Sequence, residues 1–450
     1  MAVTATTAPV DPKSEPVPIF DIGIDEKVKV SSSIGLGVQN ILGMAGLLIF
    51  PALIGTAFKL SPTDTAYLYG VTFMTSGLVV ILQSVFLLRL PIVQGPYAGS
   101  LAALLAVGHG EGGLGAAFGS MVVAGLIWCV LAVPLKRFGL ITYLSRFVRD
   151  PITCGVLVLI LATQLSSTAL PNVLGTPGKP GFGVVNLVAG GVTAVIVIVL
   201  TLLRRGSLLR RGAVLVAVVV GTAVYAIFEP TNFAGVVEHV GFTVPRIFPF
   251  GFAVQGDLVV VFFITLLPAI AESIATYDIV AGWGKQELSG YRVSQGVFGE
   301  VLGSTVGAVF GGMSTLAYPD NIGLLRVTKV GSRYVTLATG IILLVLGGLA
   351  PFDHLLQAVP LPVLAAAGTV LFGVLFASAI DSLSGVHWSR DNLMLAGFPF
   401  IAAIGGLFVP APTMKVLPQV AQLILQQPLI LGTVLLLVLK AAYGLRRKPA

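Results

Sequence analysis

Apolar stretches long enough to cross a lipid bilayer follow one another along almost the whole 450-residue chain. A transmembrane helix needs about 20 such residues, because the hydrocarbon core of a bilayer is about 30 Å thick. Charged residues make up only 10% of the chain, whereas about 25% is usual in a soluble domain. The sequence therefore predicts an all-α polytopic membrane protein without a large soluble domain.

Fourteen apolar segments can be counted, seven on each side of a more polar external connection at residues 230–257. We expect residues 34–229 and 258–443 to form two seven-span repeats. Residues 1–33 and 444–450 are then cytoplasmic tails. Because seven is an odd number, the second repeat must be inverted relative to the first, an arrangement that is common in membrane carriers.

The basic residues test this count, because lysine and arginine concentrate in the cytoplasmic loops of membrane proteins. When fourteen spans alternate, only four of the 26 basic residues fall on the outer side, namely Lys59, Lys179, Arg246 and Lys415. This distribution favours two cytoplasmic termini and a multi-pass location in the plasma (inner) membrane. The net charge of +7 thus reports orientation in the lipid bilayer and does not indicate a nucleic-acid partner.

The third segment of each half is short and is broken by proline and glycine. In the first half the break reads LPIVQGPYAGS (residues 90–100), and in the second it reads YPDNIGLLRVTK (residues 318–329). Interrupted segments at corresponding positions of two halves are a sequence indication of a binding site near the middle of the membrane.

Two acidic residues lie deep in the apolar segments: Glu272 in the eighth and Asp320 in the broken tenth. An acid at the bilayer centre costs about 2.5–3.5 kcal/mol on insertion scales, so it needs a partner or a cavity. Glu272 is interpreted as a substrate or ion contact, with a hydrogen bond that locks two helices as the alternative. Thr276 lies one turn later on the same face. Asp278 points elsewhere, and a structural role is favoured for it, with a part in coupling as the alternative.

Polar and aromatic residues near these acids fit a planar, amide-like substrate. Asn321 has donor and acceptor groups, and Gly323 permits a close approach of the backbone to a ligand. Tyr97, in the break of the third segment, either stacks on a ring or packs in the core. Gln39 and Asn40 in the first segment either brace the broken segments or make ordinary interhelical hydrogen bonds.

The sequence gives no support for ATP-driven transport, a metal site or an enzymatic reaction. The chain has no GxxxxGK[ST] motif for ATP phosphates, so we expect transport to use an ion gradient. No His/Cys cluster suggests a metal, and no cofactor is expected. Cys129 and Cys154 are interpreted as packing residues. A nucleophile–base set is also absent, which argues against an enzyme.

The motifs around these residues resemble those of the nucleobase/ascorbate transporter family, also called the uracil/xanthine permeases. The resemblance includes the pair at 39–40, the acidic motif at 272–274 and the tenth-segment signature at 320–328. It continues with VPLPVL at 359–364 and RDNL at 390–393, so that it covers nearly the whole chain.

This resemblance implies fourteen spans in two inverted repeats, with a short strand in each of spans 3 and 10. It implies a core domain from spans 1–4 and 8–11 and a gate domain from spans 5–7 and 12–14. The substrate would bind between the two domains, with Glu272 and Asp320 as its acidic contacts. Members of the family are often homodimers that work by an elevator-like motion.

Several positions depart from the family pattern. Asn40 stands where a histidine is usual, and Pro319 stands where a glycine usually precedes the acid. Thr276 replaces the histidine of uracil carriers and the aspartate of many purine carriers. Tyr97 lies one place before the expected aromatic position, which is occupied by Ala98. These departures leave the substrate open.

Together with this resemblance, the sequence predicts a secondary active transporter that imports a nucleobase by symport with a cation, with the proton favoured and sodium as the alternative. Asp320 favours uracil or another pyrimidine. A purine symporter for xanthine or uric acid, and an anion transporter of related fold, are the alternatives. The predicted substrate-binding residues are Glu272, Asp320, Asn321, Gly323, Tyr97, Ala98 and Thr276. The predicted ion-coupling residues are Glu272, Asp320, Gln39 and Asn40.

Overall fold

The computed structural model describes most of the chain. The described residues are 20–44, 46–108, 110–134, 141, 150–175, 181–202, 209, 212–231, 233–318, 321, 324–325, 328–417, 422, 425 and 427–446. Parts of the two predicted cytoplasmic tails lie outside these ranges.

Helices account for most of the described chain, as predicted. In order they are α1 (Val30–Leu42), α2 (Gly46–Ala57), α3 (Pro62–Ile81), α4 (Ala98–Val107), α5 (Gly113–Ala132), α6 (Pro151–Leu174), α7 (Val184–Leu202), α8 (Ala213–Phe228), α9 (Ala234–Glu238), α10 (Gly256–Trp283), α11 (Gly290–Val309), α12 (Arg333–Gly347), α13 (Ala350–Gln357), α14 (Leu361–Ser384), α15 (Arg390–Gly405), α16 (Ala411–Val416) and α17 (Pro428–Arg446). Two short strands, β1 (Gln94–Pro96) and β2 (Thr315–Ala317), complete the described elements.

Seven of the described helices are long and apolar enough to cross a membrane. They are α3 with the π-turn Leu82–Phe86 that extends it, α5, α6, α7, α10, α14, and α15 with the 3-10 turn Gly406–Phe408. The pair α1 and α2, bent by 41°, meets the same test as one span and raises the number to eight. Helices α4, α8 and α12 and most of α17 are apolar but shorter. Fourteen spans therefore remain a prediction.

Short polar caps define where several of these helices begin. The hydroxyl groups of Ser61, Ser289 and Ser389 each accept a hydrogen bond from the backbone N–H three residues later. Such a bond satisfies one of the N–H groups that the first turn of a helix leaves without a partner. The serines therefore fix the starts of α3, α11 and α15.

Two turns far apart in the sequence have the same backbone geometry. Lys59, after α2, and Lys285, after α10, both have a left-handed φ of 51°. The residue after each lysine donates its N–H to the carbonyl five residues earlier, at 2.8 and 2.9 Å. This bond closes a helix end in the manner of a Schellman turn, and a serine-capped helix follows in both places.

The helices pack in two groups. In the first, α12 packs along α1 and α3, while α5 contacts α10 and α11. In the second, α14 packs along α6 and α7, and α17 contacts α6 and α15. The groups meet where α14 contacts α2, where α6 contacts α4 and α10, and where α17 contacts α10.

The outer faces of the second group are apolar. Helix α7 exposes Val195 and Val199, and α15 exposes Phe398 and Ile401. An apolar surface of this extent is unusual on a soluble monomer, whereas in a membrane the lipid acyl chains cover it. The seam between the two groups is therefore the protected place in which a polar site can form.

Candidate functional site

The two short strands bring the third and tenth segments together. Strands β1 and β2 pair antiparallel along all three residues of each. One more backbone bond extends the pairing at each end: Tyr97 N donates to Ser314 O at 2.7 Å, and Tyr318 N donates to Val93 O at 2.9 Å. The strand pair thereby fixes the positions of two tyrosines that lie 221 residues apart in the chain.

A cavity of about 80 Å³ lies beside this strand pair. One buried water needs about 10–15 Å³, so the cavity holds several waters or a small ring. Its wall combines residues of the first helix group with residues of α6 and α14 from the second. The lining residues are Gly46, Phe50, Pro96, Tyr97, Ala98, Leu161, Glu272, Leu316, Tyr318, Leu371, Phe372, Val374, Leu375 and Ser378.

Glu272 supplies an acidic group to this cavity. It lies on α10 and is half-buried. A smaller cavity shares Tyr97, Leu161 and Glu272 with the first and also reaches Cys154 of α6. The predicted acid of the eighth segment is thus placed at the seam between the helix groups, where a ligand can contact it.

Tyr97 and Ala98 lie at the start of α4 and also line the cavity. Tyr97 is 1% exposed, and its hydroxyl has no hydrogen-bond partner among the described residues. Its ring folds back over Gly99, where a Cβ atom would come within 2.3 Å of the ring carbon Cζ. The Tyr97 ring can therefore take this orientation only because residue 99 is a glycine.

Tyr318 is a lining residue that the sequence interpretation did not assign to the site. Its side chain lies in a slot between two glycines. A Cβ at Gly46 would approach the tyrosine hydroxyl to 2.3 Å, and one at Gly95 would approach ring carbon Cε2 to 2.5 Å. The sequence did contain a signal for this role, because Tyr318 is an aromatic residue directly before the proline of the broken tenth segment.

Asn321 turns away from the cavity and toward α1. It is 4% exposed, and its Nδ2 donates to Asn40 O at 3.4 Å. The side chain of Asn40 in turn donates to Thr339 Oγ1 of α12 at 2.9 Å. Both asparagines therefore brace the packing of α1 against the tenth segment and α12.

The remaining predicted residues are not among those that line the two cavities. Thr276 is buried at 3% exposure, one turn beyond Glu272. Gln39 is half-buried on α1 and takes part in an interaction within the structure. Asp320 and Gly323 lie outside the described residues, although the described residues Tyr318 and Asn321 bracket Asp320.

A second buried acid, Glu300 of α11, supports the strands from behind the cavity. It is 2% exposed, and it accepts a hydrogen bond from the Tyr277 hydroxyl at 2.9 Å. Ser273, on the same helix as Tyr277, accepts a hydrogen bond from Ala317 N of β2 at 3.1 Å. The sequence interpretation missed Glu300, although an isolated acid in an apolar segment was a sufficient signal.

A cavity at the seam between two groups of apolar helices, flanked by a short strand pair and an acid, is an arrangement that suits a membrane permease. Comparison with known proteins gives the family. Residues 31–412 match the family model Xan_ur_permease, which is described as "Permease family". The chain belongs to this family of nucleobase/ascorbate transporters, and it is a multi-pass membrane transporter rather than an enzyme.

Individual relatives extend over nearly the whole chain. The uric acid permease PucK of Bacillus subtilis is 29% identical over 385 residues, which cover 84% of this chain and 87% of the relative. The xanthine permease of the same organism is 25% identical, covering 92% and 94%. The uric acid transporter UacT of Escherichia coli is 26% identical, covering 94% and 88%.

Solved structures show the same fold. The transmembrane domain of the cyanobacterial bicarbonate transporter BicA matches with a TM-score of 0.54 and 16% identity, covering 92% of this chain and 99% of that one. The anion transporter SLC26A9 matches with a TM-score of 0.62 and 11% identity, covering 92% and 66%. At these identities the likeness concerns the fold alone.

Proposed function

We propose that this protein is a secondary active transporter that imports a nucleobase by symport with a cation. The observation that carries this proposal is the cavity that Tyr97, Tyr318 and Phe372 line together with Glu272. Aromatic rings stack on flat ligands, and a carboxylate accepts strong hydrogen bonds from ring N–H groups. A planar heterocycle with N–H groups along its edge fits both features.

The start of α4 offers a second polar contact. Tyr97 is the N-cap residue of this helix and makes no side-chain capping bond. The first N–H groups of a helix need partners and favour negative charge. We infer that a carbonyl oxygen of the base accepts a bond from the backbone near Ala98.

An oxopurine is the substrate class that we place first. The relatives named above carry the names of uric acid and xanthine permeases, and a ring system with several carbonyl and N–H groups suits a carboxyl group and a helix start together. Uracil, which the sequence interpretation favoured because of Asp320, is the first competitor to test.

Proton coupling is assigned to Glu272 and Asp320. An acid that lines a cavity inside the membrane, as Glu272 does, can exchange a proton with water when the cavity opens. Asp320 is retained from the sequence interpretation. Gln39 and Asn40 are then supporting residues, since Asn40 bonds to Thr339 at 2.9 Å. Sodium coupling is the competing proposal.

Alternating access is assigned to a relative motion of the two helix groups. The cavity lies between them, and the equal geometry of the turns at Lys59 and Lys285 supports two repeated units, as does the pairing of β1 with β2. In this scheme the first group is a core that carries the substrate, and the second group is a gate that forms the family homodimer.

The anion transporters of like fold provide the alternative function. A carboxylate in the site would repel an anion such as bicarbonate, because like charges at close range repel each other. The position of Glu272 in the cavity therefore favours the nucleobase over a small inorganic anion.

The test is uptake into cells that lack nucleobase transporters and express this chain. Radiolabelled xanthine, uric acid and uracil are each supplied, with and without a protonophore. Saturable uptake of one purine, competed by the other and abolished by the protonophore, is the expected result. Uptake of uracil that purines do not compete would transfer the assignment to pyrimidines. Bicarbonate uptake without any nucleobase uptake would overturn the proposal.

A further inference from the structure

Residues 20–28, which we call the N-terminal strap, run beside the chain that follows the tenth segment. Asp21 N donates to Lys329 O at 2.8 Å, Gly331 N donates to Ile22 O at 2.9 Å, and Arg333 N donates to Ile24 O at 3.0 Å. The donors alternate between these two segments of the chain, as in a parallel strand pair. The start of the described protein thus clamps the link between the tenth segment and α12.

Apolar side chains of the strap fit places that glycines leave open. Ile24 is 3% exposed, and a Cβ at Gly284 would come within 2.3 Å of its Cδ1 atom. A Cβ at Gly331 would come within 2.4 Å of the Phe20 ring, which also meets Trp283 edge-on with ring centroids 6.2 Å apart. The strap is therefore a docked element with its own packing, and not a loose tail.

The charge of Asp25 completes the docking. Its Oδ1 atom accepts a 2.7 Å bond from Arg333 Nε, and the Arg333 side chain is only 10% exposed. Arg89 Nη2 lies 3.9 Å from the same oxygen. The pair thus links the strap to a largely buried arginine, although the Asp25 side chain itself is 59% exposed.

The two arginines connect Asp25 to both strand-bearing segments. Arg89 precedes the third segment, and Arg333 follows the tenth. The guanidinium of Arg333 also donates to Ser84 O at 3.3 Å, in the π-turn that leads into the third segment. Asp25 thus lies at the ends of the two segments that carry Tyr97 and Tyr318.

From this geometry we infer that Asp25 is a positioning residue for substrate binding. The β1–β2 pair holds the tenth segment at one end, and the strap holds it at the other. Release of the strap lets the segment that bears Tyr318 and Asn321 shift, so the affinity for the nucleobase falls. This inference rests on the proposed function.

The variant Asp25→Asn tests the inference against the matched control Asp21→Asn. Asp21 is on the same strap and faces Lys329 at 3.9 Å, but the two side chains are 72% and 54% exposed, and such pairs contribute little. We expect Asp25→Asn to raise the KM for labelled xanthine by about tenfold to a hundredfold, since a displacement of about 1 Å in a site has effects of that size. Surface expression should stay near normal, and Asp21→Asn should keep the KM of the unaltered protein.

A purely structural role for Asp25 would lower the amount of protein, and with it the maximal rate, without a change in KM. A normal KM in Asp25→Asn would therefore overturn the inference. Asp25→Glu keeps the charge and should recover most of the lost affinity.

A second variant covers the case in which Asp25→Asn does not reach the membrane. Gly331→Ala displaces Phe20 without replacing Asp25, Arg333 or any residue that lines the cavity. Gly385→Ala, at a position with open space around it, is its control. We expect a raised KM for Gly331→Ala only, and a normal value would contradict the role of the strap.

Failure of the proposed function is distinguishable from failure of this inference. If the unaltered chain takes up no nucleobase, the proposed function is wrong. Docking of the strap is then measured on purified protein by the rate of trypsin cleavage after Lys27 and Lys29. We expect faster cleavage in Asp25→Asn than in Asp21→Asn, and equal rates would overturn the inference.

Discussion

Tyr277 of α10 donates a 2.9 Å hydrogen bond from its hydroxyl to Glu300 Oε2 of α11, and neither side chain is exposed beyond 2%. One turn earlier on α10, Ser273 binds the backbone of β2. The acid therefore belongs to the support of the strand pair, while Glu272, on the same helix as Tyr277, faces the ligand cavity. Glu272 and Glu300, on the neighbouring helices α10 and α11, thus have separate positions relative to the cavity.

We expect Tyr277→Phe to lower the free energy of unfolding by about 1–3 kcal/mol, because it leaves a buried carboxyl group without one of its hydrogen-bond donors. Thermal unfolding of purified protein followed by intrinsic fluorescence measures the change. Tyr291→Phe is the control, because Tyr291 lies on the same helix as Glu300 but is 37% exposed. Equal melting temperatures of the two variants would contradict a supporting role for the Tyr277 bond.

Gly99→Ala should abolish most uptake without a loss of folded protein. The new Cβ would lie 2.3 Å from Tyr97 Cζ, so the ring must leave its position in the cavity wall. Gly373→Ala is the control on α14, beside the lining residue Phe372, because its added methyl group would meet no other side chain or backbone within 4 Å. The measurement is uptake normalised to the surface expression of each variant. Normal uptake by Gly99→Ala would show that the orientation of Tyr97 does not matter for transport.

Glu272→Gln should reach the membrane but lose concentrative uptake. The amide keeps the size of the side chain, but it cannot exchange a proton and it replaces a charge-assisted bond that contributes about 1.5–3 kcal/mol. We expect the affinity for substrate to fall by about tenfold or more. Glu287→Gln, in the loop after α10, is the control. Accumulation against a gradient by Glu272→Gln would contradict the role assigned to this acid.

The buried carboxyl group of Asp353 should make the folding stability of the protein depend on pH. This residue lies on the short helix α13 in the connection between α12 and α14, is 1% exposed and accepts a bond from Thr243 Oγ1. Burial raises the pKa of its carboxyl group to about 8, although the bond from Thr243 opposes the shift. A raised pKa means that the folded state prefers the protonated form, so the stabilisation is present at low pH and is lost as the pH rises through about 8.

Purified protein should therefore melt at a lower temperature as the pH is raised from 6 to 9, with a contribution from this group of about 1.4 kcal/mol per pH unit below its pKa. Asp353→Asn should flatten this dependence. Asp381→Asn, at an exposed position of α14, should keep it. Parallel curves for the Asp353→Asn variant and the unaltered protein would rule out Asp353 as the titrating group.

Local sequence patterns pointed to some of the residues that line the cavity. The long apolar segments indicated the membrane class, the isolated acid indicated Glu272, and the break in the third segment indicated Tyr97 and Ala98, all of which line the cavity. These features depend on composition and on short spacings, which a sequence displays directly.

Contacts between distant residues were not predictable in the same way. Asn321 was expected to meet the substrate, but its amide turns to Asn40, 281 residues away. Tyr318 gains its position from Gly46 and Gly95, and neither glycine signals a tyrosine partner in the sequence. Which side chains line a cavity is decided by the packing of segments that share no local pattern.

The N-terminal strap also has a consequence for biosynthesis. It leaves the ribosome before any of the described helices, yet its partner Arg333 is made 308 residues after Asp25. Phe20 and Ile24 likewise lack the residues that they pack against until Trp283 and Gly284 are made, at and just after the end of α10. The strap thus reaches its final place only after α10 has been made, and a nascent chain arrested before the end of α10 would still display Phe20 and Ile24 to chaperones and proteases.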